Sequence, residues 1–180
     1  MKKLIILDRD GVINEHNPNY VRHLTEFHFI NGSLEAIKKL LRFEVNICVV
    51  SNQAGVAKGV VKAEAVEEIN NFMSVLFEDA DRKRIKFFYC YHLASEYCTC
   101  RKPQPGNLLA ALSCFEARAN EAIFVGDNKT DFQAAVAARI DFCLVRTGLG
   151  SLFANELKSV VPVFDNLSNF VDEFIGGSSG

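Results

Sequence analysis

Neither sign of charge dominates this chain: 20 lysines and arginines stand against 22 aspartates and glutamates, a formal net charge of -2 at pH 7. That balance gives no whole-molecule field for a polyanion, so nucleic acid is disfavoured as a partner, while a small basic site for phosphate remains possible. Long apolar runs are missing as well. None approaches the ~20 residues that span a bilayer, and no membrane partner is expected. The opening MKKLIILDRD carries two lysines and a short apolar run, but Asp8 interrupts it before a signal-peptide core could form. The expected location is the cytoplasm. No long exposed apolar stripe is evident, which points to a monomer.

What is present is the balance of a globular protein: 180 residues, 49% hydrophobic and 23% charged. One domain over residues 1–175 is expected, followed by a flexible GGSSG tail at 176–180. The runs KLIIL, VNICVV, IKFFYC, EAIFVG and DFCLV read as buried strands. Between them SLEAIKKLLRF, AEAVEEINNFMSVLFEDA, GNLLAALSCFEARA and TDFQAAVAAR have helical spacing, and LSNFVDEFI follows a short apolar VPVF. This alternation predicts an α/β fold with a central parallel sheet and helices on both faces. In such sheets ligands bind beyond the carboxyl ends of the strands.

Polar residues fall at those ends. The first strand exits into Asp8-Arg9-Asp10-Gly11, the second into Ser51-Asn52-Gln53, the third into a cysteine loop and the fourth into Asp127-Asn128-Lys129-Thr130-Asp131. Asp8 and Asp10, two apart, can face one site. Taken alone, each stretch reads as a solvated turn; together, carboxylates converging from two strands would repel unless a hard cation sat among them. Mg2+ suits such a set, since it prefers oxygen ligands and keeps positions free for phosphate. Ser51, Asn52 and nearby backbone N–H groups supply further phosphate donors, and Lys102 adds a mobile positive charge. With charge screened, Asp8 can attack phosphorus to give an aspartyl-phosphate, and Asp10 can serve as acid and then as base.

Six cysteines are present. Cys48, Cys114 and Cys143 sit singly in apolar segments, where core packing is expected. Cys90, His92, Cys98 and Cys100 are clustered, and three thiolates with one imidazole make a closed tetrahedral set that predicts structural Zn2+. The loop has too few apolar residues for a module of its own. It reads as a staple that fixes the backbone before Arg101 and Lys102, with Arg101 holding a second anionic group on the substrate.

Taken together, DRDGVIN, SNQAGV, RKP and GDNKTD resemble the four ordered motifs of the haloacid dehalogenase (HAD) superfamily of phosphatases. The resemblance runs from about residue 3 to about residue 150 and implies a Rossmann-like core with no large cap domain. It implies Asp8 as nucleophile, Asp10 as general acid/base, and Ser51 and Lys102 as stabilisers of the transferring phosphoryl group. Mg2+ would be held by Asp8, the backbone carbonyl of Asp10, and Asp127. The cysteine loop, NYVRHLTEFHFINGS, SNQAGVAKG and RTGLG are similar to the zinc-containing branch of heptose 1,7-bisphosphate and histidinol-phosphate phosphatases. That branch implies removal of the C7 phosphate of D-glycero-D-manno-heptose 1,7-bisphosphate, with histidinol phosphate as the alternative, and the expected partner is a small phosphorylated sugar or similar metabolite. His16, Asn17, Asn19 and Tyr20 match its substrate loop, and Arg9, Asn52, Gln53, Ala54, Arg101 and Asn128 complete the expected substrate contacts. Asn128 stands where relatives often carry Lys or Arg, and Lys129 is its possible substitute. Two readings from other classes compete. A signalling receiver domain would need an aspartate on the third strand, where FFYC has none, and a zinc-dependent nucleic-acid module would need basic charge.

Overall fold

The computed structural model describes residues 2–177. Side chains in its strands alternate between two apolar layers. In β1 (Leu4–Leu7) and β2 (Asn46–Asn52), Ile5, Leu7, Ile47 and Val49 pack on one face, and Leu4, Ile6, Cys48 and Val50 on the other. Such strands are apolar throughout because both faces are covered. One layer is closed by α1 (Ser33–Arg42), α2 (Ala63–Val75) and α7 (Leu167–Gly176) through Ile37, Leu40, Ile69, Leu167 and Phe170. The other is closed by α4 (Gly106–Cys114), α5 (Lys129–Ala138) and α6 (Gly150–Leu157) through Leu108, Ala111, Ala134, Ala135 and Leu157.

With β3 (Ile85–Cys90), β4 (Ala122–Gly126), β5 (Asp141–Val145) and β6 (Val163–Phe164), the six strands form one sheet in the order β3-β2-β1-β4-β5-β6, and every pair is parallel. All carboxyl ends therefore lie on one side. The chain runs outward from β1 to β2 and β3, then returns to place β4 beside β1, so the direction of winding switches between β1 and β4. Ligands gather at such a switch point. Here Leu7 is in register with Val125, which brings Asp8 next to the end of β4, and the Asp8 amide donates to the Val125 carbonyl at 3.0 Å.

The long insert after β1 is no separate cap. Val12, Ile13, Val21 and Phe27 are buried in the core, and Phe27 and Phe29 pack edge-to-face at 5.0 Å. Several expectations need correction. The helix expected over 63–80 ends at Val75, and a short α3 (Asp79–Arg82) follows; Arg82 Nε donates to the Ser74 and Phe77 carbonyls at 3.1 and 3.2 Å, closing the turn. Helix α6 was not predicted. It is two turns long and is held by Ala154 and Leu157 packing on the sheet rather than by local propensity. Cys114 is exposed and is not a core residue, because α4 turns Leu108, Ala111 and the partly buried Leu112 and Phe115 inward. Cys48 and Cys143 are buried as expected. The expected tail begins on the last residue of α7, and 178–180 lie outside the described residues.

Candidate active site

Oxygens of Asp8, Asp127 and Asp131 all lie within 4.8 Å of one another, and all three residues are buried. Asp131 is fully engaged. Its Oδ2 accepts from the Asp127 and Asn128 amides at 3.2 and 3.1 Å, which caps α5, while its Oδ1 stands 2.7 Å from Lys102 Nζ. Asp8 Oδ1 lies 2.8 Å from the same ammonium, so Lys102 is paired with two of the three carboxylates. Asp127 Oδ2 accepts from the Leu149 amide at 2.8 Å. Two glycines make room for it. A Cβ on Gly11 (φ 96°) or on Gly148 (φ 58°) would fall 2.1 or 2.0 Å from Asp127 Oδ2, and both backbones are left-handed.

Burial raises the Asp8 pKa to about 6, with Lys102 opposing and Asp131 adding to the rise. Burial, then the charges of Asp8 and Asp131, push Asp127 up to about 8. For Lys102 burial works against its charge, yet the charges of Asp131 and Asp8 hold its pKa above the ordinary lysine value. Three clustered carboxylates with one ammonium leave an excess of negative charge. That set of hard oxygen donors fits a divalent cation. Asp131, already saturated by two amides and Lys102, is less suited to ligate than Asp8 and Asp127.

Lys102 is delivered from the far side of the cleft. The Asn52 side chain grips its backbone at both ends, accepting from the Lys102 amide and donating to its carbonyl at 3.0 Å each, and Lys102 Nζ donates to the Val50 carbonyl at 3.1 Å. The cysteine loop leads into this grip. Neighbouring ligand atoms of Cys90, His92, Cys98 and Cys100 stand 3.3 to 3.6 Å apart. Metal bonds of about 2.0–2.3 Å in a tetrahedron place ligand atoms roughly 3.4–3.8 Å apart, so the set fits Zn2+. None of the three thiols is tied up in a disulfide, since all six cysteines are free.

A cavity of about 330 Å³ joins these parts. Asp8, Asp10, Ser51, Lys102 and Asp127 line it, as do His16, Asn52, Arg101 and Asn128 among the expected substrate contacts. Asp131, one of the converging carboxylates, lines it too, as do Thr130 and Leu149, which were not singled out for substrate or metal. RTGLG, which contains Leu149, was the available signal. Arg101 Nη1 donates to the His92 carbonyl at 3.3 Å, which ties its head to the cysteine loop.

The remaining expected contacts lie off this cavity. Arg9 is 1% exposed and grips both oxygens of Asp10, from Nη2 at 3.0 Å and Nε at 3.2 Å. Gln53 and Ala54 are buried. Asn17 shapes a turn, its Oδ1 accepting from the Asn19 amide at 2.9 Å. Tyr20 lies against the second loop, where its hydroxyl accepts from Lys58 Nζ at 2.7 Å. Lys129 pairs with Glu156 at 2.5 Å, so it does not take the place of the missing cation at Asn128. Asp10 has burial working to raise its pKa, but Arg9, Asn14 and Gln53 together hold it below the ordinary value.

Known proteins resemble this chain along nearly its whole length. A family model described as HAD-hydrolase-like matches residues 99–169. The chain is 36% identical over 177 residues to the D-glycero-beta-D-manno-heptose-1,7-bisphosphate 7-phosphatase of Pseudomonas putida, covering 96% of this chain and 99% of that one. It is 34% identical over 175 residues to the protein of the same name in Escherichia coli K12, covering 93% and 86%. Among solved structures, the D,D-heptose 1,7-bisphosphate phosphatase of B. bronchiseptica complexed with magnesium and phosphate superposes with a TM-score of 0.88 at 30% identity, covering 98% and 99%. No helix among the described residues is long and apolar enough to cross a membrane. With the Asp8 strand tip, the buried lysine and the carboxylate cluster in one cavity, and with relatives of this similarity along nearly its whole length, the chain belongs to the HAD-like phosphatases, in the family of the heptose-1,7-bisphosphate 7-phosphatases.

Proposed function

We propose that the protein removes the C7 phosphate of D-glycero-β-D-manno-heptose 1,7-bisphosphate in a Mg2+-dependent reaction through an aspartyl-phosphate on Asp8. The observation that carries this reading is the meeting of Asp8, Asp127 and Lys102 in one cavity. The names of the relatives supply the sugar and its anomer. Asp8, Asp127 and the Asp10 carbonyl would hold Mg2+, which supplies charge neutralisation for the phosphoryl oxygens. Cys90, His92, Cys98 and Cys100 would hold a structural Zn2+, since a closed set leaves no position for substrate.

The chain's own groups account for the proton and bond changes. As the Asp8 oxygen bonds to phosphorus, the bond from phosphorus to the C7 oxygen breaks, and the departing alkoxide takes a proton from Asp10. Asp10 is held as a carboxylate before substrate arrives; the negative charge of an incoming phosphate favours its protonated form. Water then attacks phosphorus, gives its proton to Asp10, and releases phosphate from Asp8. Lys102 and Ser51 stabilise charge on the transferring group. Arg101 would take the C1 phosphate, and His16, Asn52 and Asn128 border the sugar. In the same proposal, residues 1–175 act as one catalytic domain in a cytoplasmic monomer; helices from the chain itself cover both sheet faces.

The compact metal loop makes histidinol phosphate the comparison substrate. Kinetics with Mg2+ on the β and α anomers of the bisphosphate and on histidinol phosphate test the proposal, with the highest kcat/KM expected for the β anomer and phosphate released from C7. Preference for histidinol phosphate overturns the substrate assignment.

A further inference from the structure

We infer that Gln53 is a positioning residue, whose one side-chain amide ties the Asp10 carboxylate to the Ser51 hydroxyl and leaves that hydroxyl free to donate to the phosphoryl group. This rests on the reading of Asp10 as proton carrier and Ser51 as phosphoryl contact, and it replaces the expectation that Gln53 touches substrate.

Gln53 follows β2 directly, its amide donating to the Cys90 carbonyl at 2.7 Å, and only 4% of it is exposed. It does not line the reaction cavity, whereas Asp10 and Ser51 both do. Gln53 Nε2 stands 2.6 Å from Asp10 Oδ2 and 3.1 Å from Ser51 Oγ. A carboxylate only accepts, so the NH2 end of the amide must be the end that faces Asp10. Its two N–H groups then serve two acceptors. One satisfies Asp10, and the other occupies a lone pair of Ser51.

The consequence for Ser51 is directional. A hydroxyl that accepts from Gln53 keeps its own proton for another acceptor, and among the described residues none receives it. A phosphoryl oxygen entering the cavity is the acceptor within the logic of the site. The consequence for Asp10 is one of register. Its other donors, Arg9 Nε and Nη2 and Asn14 Nδ2, belong to the loop that carries Asp10 itself. Gln53 is the donor that comes from a different strand. It sets where the proton carrier stands relative to the group that receives phosphate.

The test is a double-mutant cycle with Gln53→Leu and Ser51→Ala on the Mg2+- and Zn2+-loaded enzyme, turning over an alkyl phosphomonoester and the bisphosphate. In the parent background Gln53→Leu is expected to lower kcat by about 10- to 100-fold, the scale of a misplaced catalytic group, with KM changed by less than about threefold. In the Ser51→Ala background the same substitution is expected to cost at least about threefold less, because one of its two routes is already gone. Gln53→Met, closer to glutamine in shape, takes its place if Leu lowers the melting temperature. A rise in KM alone means that Gln53 contacts substrate, and independent, multiplicative losses mean that it does not act through Ser51; either result overturns the inference. An Asp8→Asn variant that turns over at the parent rate instead overturns the underlying phosphatase reading.

Discussion

Cys90, His92, Cys98 and Cys100 come from one short stretch of chain and, apart from Cys90, are partly open to solvent, whereas Asp8, Asp127 and Asp131 come from two distant segments and are buried. Both clusters stand at the carboxyl end of the sheet. The loop cluster needs little chain closure but has no core beneath it, so its order depends on its ligand chemistry. The carboxylate cluster needs the whole sheet, since only the pairing of β1 with β4 brings Asp8 to Asp127. Its shape is secured by packing and its charge is not. One cluster is limited by order, the other by electrostatics, and Lys102 is the residue that belongs to both regions.

The sharpest way to separate them is at Asp8. Asp8→Asn is expected to lower kcat by at least about 10⁴-fold, as loss of a nucleophile does. Its melting temperature without divalent cation should stay level or rise, since one buried negative charge leaves the cluster. Phosphate release and a thermal melt measure both, and a fall in stability with activity retained would break the contrast. Loss of the proposed loop metal should act in the opposite sense. Cys98→Ser with Cys100→Ser is expected to open residues 90–106 to proteolysis and lower kcat/KM by about 100-fold through a misplaced Lys102, while circular dichroism of the α/β core is retained.

The pH dependence of stability comes next in size. Asp8 and Asp127 bind protons more tightly folded than unfolded, with folded values raised from 3.8 to about 6 and about 8. Their contribution to stability is complete below 3.8 and is lost as pH rises through those folded values. Protein freed of divalent cation is therefore expected to lose melting temperature by a few degrees between pH 5 and about 8.5. Mg2+ should stabilise more at the upper end of that range than at the lower, which differential scanning at several pH values will show. The smallest effect is expected at His16, exposed at the rim of the cavity: His16→Ala should raise KM about three- to tenfold with kcat nearly unchanged.

Much of the fold could be read from pattern. Five strands came from apolar runs and five helices from periodicity, because burial on both faces or on one leaves a local trace. Helix α6 left little trace, since its stability comes from contact with the sheet. Cys114 misled because one helical position decides whether a thiol faces core or solvent. In the site, Asp8, Asp127 and the metal loop were visible from strand ends and ligand spacing. The duties of Asn52 and Gln53 were not: both sit in a stretch that reads as a phosphate loop, yet one grips the Lys102 backbone and the other joins Asp10 to Ser51. Tyr20 likewise reads as a sugar contact and instead meets Lys58.

Sequence by itself determined the strand and helix pattern, the clustering of Cys90, His92, Cys98 and Cys100 and the placement of acidic residues after β1 and β4, because each depends on neighbours a few positions away. Tertiary structure alone decided that Asp131 should serve Lys102, that Asp127 should press against Gly11 and Gly148, and that Asn52 should grip the backbone of Lys102. Those pairings join residues whose separation along the chain carries no information about their distance in space; parallel strand register and the packing of side chains at the strand ends supply it.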